Sequence, residues 1–253
     1  MDDPSHPLLS PDLSPDDVHH LARVLRLRAG EEVIVSDGAG HWARTRWRGG
    51  EGEGSDGRGR EGGPVDSLRD GTGPGGDGTV QFEEAASPSL TVAFAPTKGE
   101  RPEWVVQKLT ELGIDRIVPL VSERSVVRWG PARARTAVDR LRRVAREAAG
   151  QCRRVWLPEV SDVVTFDQLA ELGASGEVVL AQLSGDRLSA AQRVVAVGPE
   201  GGWSVDELSS GLPTVGFGLS VLRAETAAVT AGALMVSLRT GTVAPVVPME
   251  ESS

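Results

Sequence analysis

Three segments in the second half of this 253-residue chain hold residue types that could do chemistry. They are QLSGDR (182–187), GPEGG (198–202) and GFGLSVLRAET (216–226). Each follows an apolar run that reads as a strand, so each is expected at a strand's carboxyl end, where ligands gather in α/β folds. GPEGG joins three glycines to one carboxylate. Glycines let backbone N–H and C=O groups approach a flat ligand with no Cβ in the way. A tight strand-to-helix turn is the competing explanation for the same residues. The segment lacks the Lys-Ser/Thr of a phosphate-binding loop and the spacing of a dinucleotide fingerprint.

Other chemistries lack their residues. There is no G-x-S-x-G nucleophile and no Cys–His set. Cys152 is the sole cysteine, which excludes an intrachain disulfide and reads as a small core residue. His19 and His20 have no partners at zinc or calcium spacing, so no metal is expected. GTGPGG (71–76) matches G-x-G-x-x-G letter for letter, but no strand precedes it and no helix follows.

The elements that must position these loops come from the hydrophobic pattern. From residue 89 onward, apolar runs such as SLTVAFA, IDRIVPLV, RVWLPEV, EVVLAQL and QRVVAVG alternate with helical patterns. Pro102 opens one helix and Gly113 closes it. Residues 131–149 form an Arg-rich helix with Val138, Leu141, Ala145 and Ala148 on one face. SVDELSSG starts with a capping box, Ser204 and Glu207. This alternation predicts an α/β domain with a mainly parallel sheet. Residues 1–87 read instead as a small β-rich domain, with EEVIVSDG and HWARTRW as a hairpin turned at Asp37-Gly38. Thirteen of residues 49–78 are glycine, which predicts a disordered insertion within it.

Net charge is −9, which argues globally against a nucleic-acid partner. The distribution argues otherwise. Residues 128–154 carry nine arginines against two acids, and residues 19–48 carry six against three. Two basic segments in an acidic chain could form a phosphate-binding face, although a solvated helix face accounts equally well for the charge alone. The acidic, proline-rich start has no signal-peptide pattern, and no run of 18 apolar residues occurs. A cytoplasmic protein without membrane contact is expected.

Five segments taken together, HHLARVLR (19–26), KGERPEWVVQKLTELGIDRIVPLVSERSVV (98–127), QCRRVWLPEV (151–160), VGPEGGWSVDEL (197–208) and VLRAETAAVTAGAL (221–234), resemble the ribosomal RNA small-subunit methyltransferase E family. The resemblance implies S-adenosyl-L-methionine as cofactor and N3 of the uridine at position 1498 of 16S rRNA as the methylated atom. It implies a PUA-like RNA-binding β-barrel over 1–87, interrupted by the 49–78 insertion, a SPOUT α/β domain with a deep trefoil knot over 88–246, a tail over 247–253, and a homodimer. It places the cofactor against Ala181, Gln182, Leu183, Val197, Gly198, Glu200, Gly201, Gly202, Phe217, Gly218, Leu222 and Thr226. The chain departs from the family pattern at Gly150, where Glu is usual, at Ser220, where Arg is usual, and at Ala224, where Thr is common.

Methylating N3 of uridine requires removing its proton, with negative charge spreading onto the flanking carbonyl oxygens. A general base and a nearby cation are therefore wanted. Arg223 is the expected cation, with an ion pair to Glu225 as its competing structural role. Glu225 or Glu200 is the expected base, with loop anchoring the stronger reading for Glu200. RNA contacts are expected from Arg23 and Arg26 in the small domain and from Arg124, Arg128 and Arg154 in the large one, with 16S rRNA or the small subunit as partner. A ribose 2′-O-methyltransferase and a non-catalytic RNA-binding assembly protein are the alternatives.

Overall fold

Apolar runs bounded by glycine and proline become the strands of a seven-stranded parallel sheet. The computed structural model describes residues 6–49, 64–68, 79–172 and 177–244. The chain divides into two units, Met1–Ala85 and Ala86–Ser253. In the second, β4 (Thr91–Phe94), β5 (Arg116–Val121), β6 (Glu159–Val160), β7 (Val164–Thr165), β8 (Val178–Arg187), β9 (Val194–Val197) and β10 (Thr214–Gly216) lie in the order β10-β8-β9-β4-β5-β6, with β7 also on β5. Every pairing is parallel. Strands covered on both faces need continuous apolar side chains, which is why β4 and β9 read as unbroken hydrophobic runs.

Helices α2 (Arg101–Leu112), α3 (Pro131–Gln151) and α6 (Ala224–Arg239) cover one face. Val105, Val106 and Leu109, Leu141 and Ala145, and Ala228, Ala231 and Met235 meet there over Val92, Ile117 and Val195. The other face is closed by α4 (Phe166–Leu172), whose Phe166 and Leu169 pack with Trp203 on Val118, Leu120 and Val178. Residues 91–94 align with 116–119 on one side and 194–197 on the other, so the loops after β4, β5 and β9 emerge side by side.

Two expectations change here. QLSGDR is not a loop: β8 runs on through Arg187, because Asp186 and Arg187 pair with Val215 and Gly216 of β10 after a register shift. RVWLPEV forms a strand only from Glu159, since Pro158 has no N–H to give the ladder.

In the first unit a 3-10 turn over Pro7–Leu9 precedes α1 (Pro15–His19), which is capped by Ser14 and continues as a single π-turn over His20–Val24. β1 (Glu32–Ser36), β2 (His41–Arg46) and β3 (Gln81–Phe82) form an antiparallel sheet in that order. The Asp37-Gly38 turn is pinned by the Asp37 carboxylate, which accepts from Ala39 N (2.7 Å), His41 N (3.1 Å) and the His41 ring (2.8 Å). Val33, Trp47 and Val65 are buried together, with Leu21 and Leu27 against them. Val65 and Leu68 lie inside the segment expected to be disordered. They are the apolar residues of a short piece that bridges to Trp47 and gives Asp66 N to Arg46 O (2.9 Å). Residues 50–63, 69–78 and the 247–253 tail lie outside the described residues. No helix among the described residues is long and apolar enough to cross a membrane.

Candidate active site

The GPEGG loop is held from three sides. Past β9, Gly202 N donates to Pro199 O (2.8 Å), closing a turn in which Gly202 takes φ +68°, a left-handed conformation that favours glycine. The chain then folds Trp203 back under the loop. Its Nε1 donates to Ala181 O (3.0 Å) and its ring lies 5.7 Å from Phe166. A Cβ on Gly198 would sit 2.9 Å from that indole. Gly198 is therefore a packing glycine, required by the Trp203 indole beneath it. Next comes α5 (Val205–Leu208), whose predicted capping box is present: Ser204 Oγ accepts from Glu207 N (3.1 Å) and Glu207 Oε2 from Ser204 N (2.8 Å). The buried Glu207 also accepts from Glu123 N (2.8 Å), which ties this loop to the one after β5. Arg124 Nη1 adds a bond to Gly201 O (3.2 Å).

The third segment leaves β10 through a close backbone crossing. A Cβ on Gly185 would lie 2.5 Å from the Val215 backbone, and one on Gly216 3.0 Å from Gly185 O. Phe217 and Leu222 then lean on the main core, while Leu219 and Val221 stand out in solvent. Gly218 takes φ +146° beside open space. Arg223 is the exposed residue that begins α6, and its side chain forms no cap.

A residue without an assigned role joins the two segments. Arg101, the last letter of KGER, opens α2 at the carboxyl end of β4. Its Nη1 bonds Glu200 Oε1 at 2.9 Å, and its Nε lies 3.6 Å from Glu225 Oε1. Glu200 is 48% exposed and Glu225 only 13%. The buried Oε2 of Glu225 has no hydrogen-bond partner among the described residues. Glu225 thus pairs with Arg101, and the Glu225–Arg223 ion pair that competed with a chemical role for Arg223 does not occur. Arg223 has no side-chain ion pair among the described residues. Two carboxylates bridged by one guanidinium, with a second guanidinium unpaired nearby in sequence, can accept a proton and attract developing negative charge.

Residues 84–236 match the RNA methyltransferase domain family, and residues 13–46 match the RNA methyltransferase PUA domain family. The ribosomal RNA small subunit methyltransferase E of Mycobacterium bovis is 33% identical, over 85% of this chain and 82% of that protein. The chain belongs to the ribosomal RNA small subunit methyltransferase E family. The Synechocystis member is 32% identical over 83% of this chain and 67% of its own length. The Neisseria gonorrhoeae member, solved bound to S-adenosyl methionine, superposes with a TM-score of 0.70 at 25% identity, covering 89% of this chain and 90% of that one. The large unit is accordingly a SPOUT methyltransferase domain, and the small one is PUA-like.

Within this methyltransferase E chain, the expected residues fall into different groups. Ala181, Gln182 and Leu183 lie in β8, and Gly198–Gly202 beside them, joined by Trp203. The carbonyls of Ala181 and Val197 are already engaged, by Trp203 and by Ala95 N (3.0 Å). Leu183, Gly201, Gly218 and Thr226 are exposed. Arg23 and Arg26 are exposed on the small unit, with Arg26 at φ 54° where the helical turn ends. Arg124 and Arg128 sit in the loop after β5, and Arg128 bonds Glu123 O.

Arg154 departs from its expected role. It is 14% exposed and donates to Ile114 O (2.6 Å), Thr110 O (3.3 Å) and Asp115 (3.0 Å), while Arg239 holds the other Asp115 oxygen. Burial pushes its pKa down, and Asp115 works against that. It is a structural clamp between α2, β5 and α6, unavailable to RNA. Gly150 is exposed in the last turn of α3 with open space where a Cβ would be, so the missing Glu leaves packing untouched. Ser220 is exposed, so the missing Arg removes a cation from the loop tip. Although no metal site is legible in the spacing, the fold gathers His6, Asp37 and His41, with ligand-type atoms within 4.8 Å of one another. The Asp37 oxygens are already used by the hairpin turn, and His6 Nδ1 accepts from Leu8 N (3.2 Å).

Proposed function

We propose that this protein transfers a methyl group from S-adenosyl-L-methionine to N3 of the uridine at position 1498 of 16S rRNA, acting as a homodimer on the small ribosomal subunit. The observation that carries this reading is the convergence of Arg101, Glu200 and Glu225 beside the GPEGG loop, in a chain of the methyltransferase E family. When bound, the cofactor supplies an electrophilic methyl group. The residues fit such a group: Gly202 and Gly218 face open space, and Leu183 offers exposed apolar surface. Ala181, Gln182, Leu183, Val197, Gly198, Glu200, Gly201, Gly202, Phe217, Gly218, Leu222 and Thr226 would line the pocket, with Gly198 and Val197 acting as its frame.

Glu225 takes the N3 proton. Its second oxygen is shielded from water and lacks a hydrogen-bond partner among the described residues, a state that calls for an incoming donor. Arg101 orients Glu225 and draws Glu200 toward it. Arg223 faces the uracil oxygens as charge develops on them. Arg23, Arg26, Arg124 and Arg128 hold phosphates. Dimerisation is supported by α6, where Leu234 and Leu238 border the face that packs on the sheet and stay partly exposed. The deep knot is carried by the same reading, supported by the close crossing of β10 over β8 at Gly185.

The test is methyl transfer from labelled S-adenosylmethionine to unmodified small subunits, with digestion to nucleosides. Label in 3-methyluridine supports the proposal. Label in a 2′-O-methylated nucleoside, or none, refutes it.

A further inference from the structure

A cavity of about 330 Å³ opens at the same carboxyl edge of the sheet, on the α3 side of α2. It is lined by Thr97, Lys98 and Glu103, by Trp129, and by Arg133 and Arg140. On α3 the residues facing it follow helical spacing: Arg133, Thr136, Ala137 and Arg140. The small Ala137 between two arginines leaves the floor open. Two helices begin beside this cavity, α2 and α3, and neither has a side-chain cap on its first N–H groups. Uncapped helix starts attract anions. Lys98 and Arg133 form no ion pair among the described residues, in a protein with net charge −9. Arg140 is held in place by Glu103 (3.0 Å). Trp129, half-buried at the mouth, offers an aromatic face. Three cations make this cavity a poor host for a sulfonium.

We infer that this cavity binds one unstacked nucleotide of the substrate RNA, next to the target base, with its base against Trp129 and its phosphate between Lys98, Arg133 and the start of α2. The size suits one nucleotide and lies near the lower end of ligand pockets. An aromatic platform with a cationic rim is how single strands are held. The link to catalysis is direct. Lys98 in the turn before α2 and Glu103 in its first turn flank Arg101, so a strand seated in the cavity leads to the Glu200–Glu225 site. This assignment rests on the RNA methyltransferase reading and adds a specificity-determining subsite to it.

The test uses the full chain and four variants: Trp129→Ala, Trp129→Phe, Lys98→Ala, and Ala137→Phe, which fills the floor. Methyl transfer to small subunits gives KM and kcat, anisotropy gives affinity for a labelled single-stranded oligonucleotide, and calorimetry gives S-adenosylmethionine affinity. Trp129→Ala and Ala137→Phe should raise KM and the oligonucleotide Kd about 5- to 150-fold. Trp129→Phe should stay near wild type, kcat should hold, and cofactor affinity should not move. Lys98→Ala should reduce the salt slope of RNA binding by about one. Unchanged KM and oligonucleotide affinity in both Trp129→Ala and Ala137→Phe would overturn the inference. So would free uridine or adenosine monophosphate binding as tightly as the oligonucleotide, which would make it a free-nucleotide site. Should Trp129→Ala fail to fold, Ala137→Phe decides. If the wild-type protein methylates no RNA, the activity reading fails, and oligonucleotide affinity alone judges the cavity.

Discussion

Adding one methyl group at Gly198 should loosen the whole loop after β9. The Cβ of Gly198→Ala would stand 2.9, 3.0 and 3.3 Å from three atoms of the Trp203 indole, which is 4% exposed and cannot swing into solvent. Overpacking of this kind costs about 1–3 kcal/mol. Displacing the indole also strains its bond to Ala181 O, worth a further ~0.5–1.5 kcal/mol. We expect a loss of about 2–4 kcal/mol in urea unfolding of the full chain. The cause is separable by a double-mutant cycle. In a Trp203→Leu background the smaller side chain leaves room, so Gly198→Ala should then cost less than about 0.5 kcal/mol. Additive costs in the cycle would refute the packing argument. Gly202→Ala is the contrast: its Cβ meets nothing, and the expected penalty is the ~1–2 kcal/mol of a left-handed backbone, with no coupling to Trp203.

Arg101→Ala should lower kcat about 10- to 100-fold while changing stability by less than about 1 kcal/mol, since its pair with Glu200 is solvent-screened; unchanged kcat at saturating substrates would remove it from the mechanism. Arg154→Ala should destabilise the large unit by about 1.5–3 kcal/mol, because the half-buried Asp115 and two backbone carbonyls lose a charged donor, yet leave the salt slope of RNA binding unchanged; Arg124→Ala should do the reverse, lowering the slope by about one. Burial opposes the Asp37 carboxylate, but the N–H groups of Ala39 and His41 and the His41 ring overcome it and hold its pKa below the ordinary aspartate value. A depressed folded pKa stabilises above the unfolded value of about 3.9 and is lost as pH falls through the folded one, so the stability gap between wild type and Asp37→Asn should be full at pH 6 and close below pH 4; a gap independent of pH would contradict this.

The layered α/β plan was legible because each buried strand and each helix carries its own periodicity and punctuation. Gly113 and the Ser204–Glu207 box mark helix ends that form as read. What escaped depends on contacts between distant segments. LSGDR carries turn-forming residues, yet it is strand because β10 lies against it, with Gly185 making room for Val215. Val65 and Leu68 were hidden among glycines, and their burial comes from Trp47 and Leu8. Arg154 looked like one more cation in an Arg-rich stretch; only the fold brings Asp115 and the Ile114 carbonyl to it. The glycines of GPEGG do not share one job: Gly198 makes room for Trp203, and Gly202 takes a left-handed backbone conformation. Arg101 had a usable signal. A cationic tetrad, KGER, sits directly after a strand's carboxyl end and before a helix, where a ligand-facing charge belongs.

The central claim is tested most directly by nucleoside mass spectrometry of 16S rRNA from cells lacking this protein. Loss of 3-methyluridine, and its return with the wild-type chain but not with a Glu225→Gln chain, is the predicted result. Persisting 3-methyluridine in the deletion strain would contradict the account.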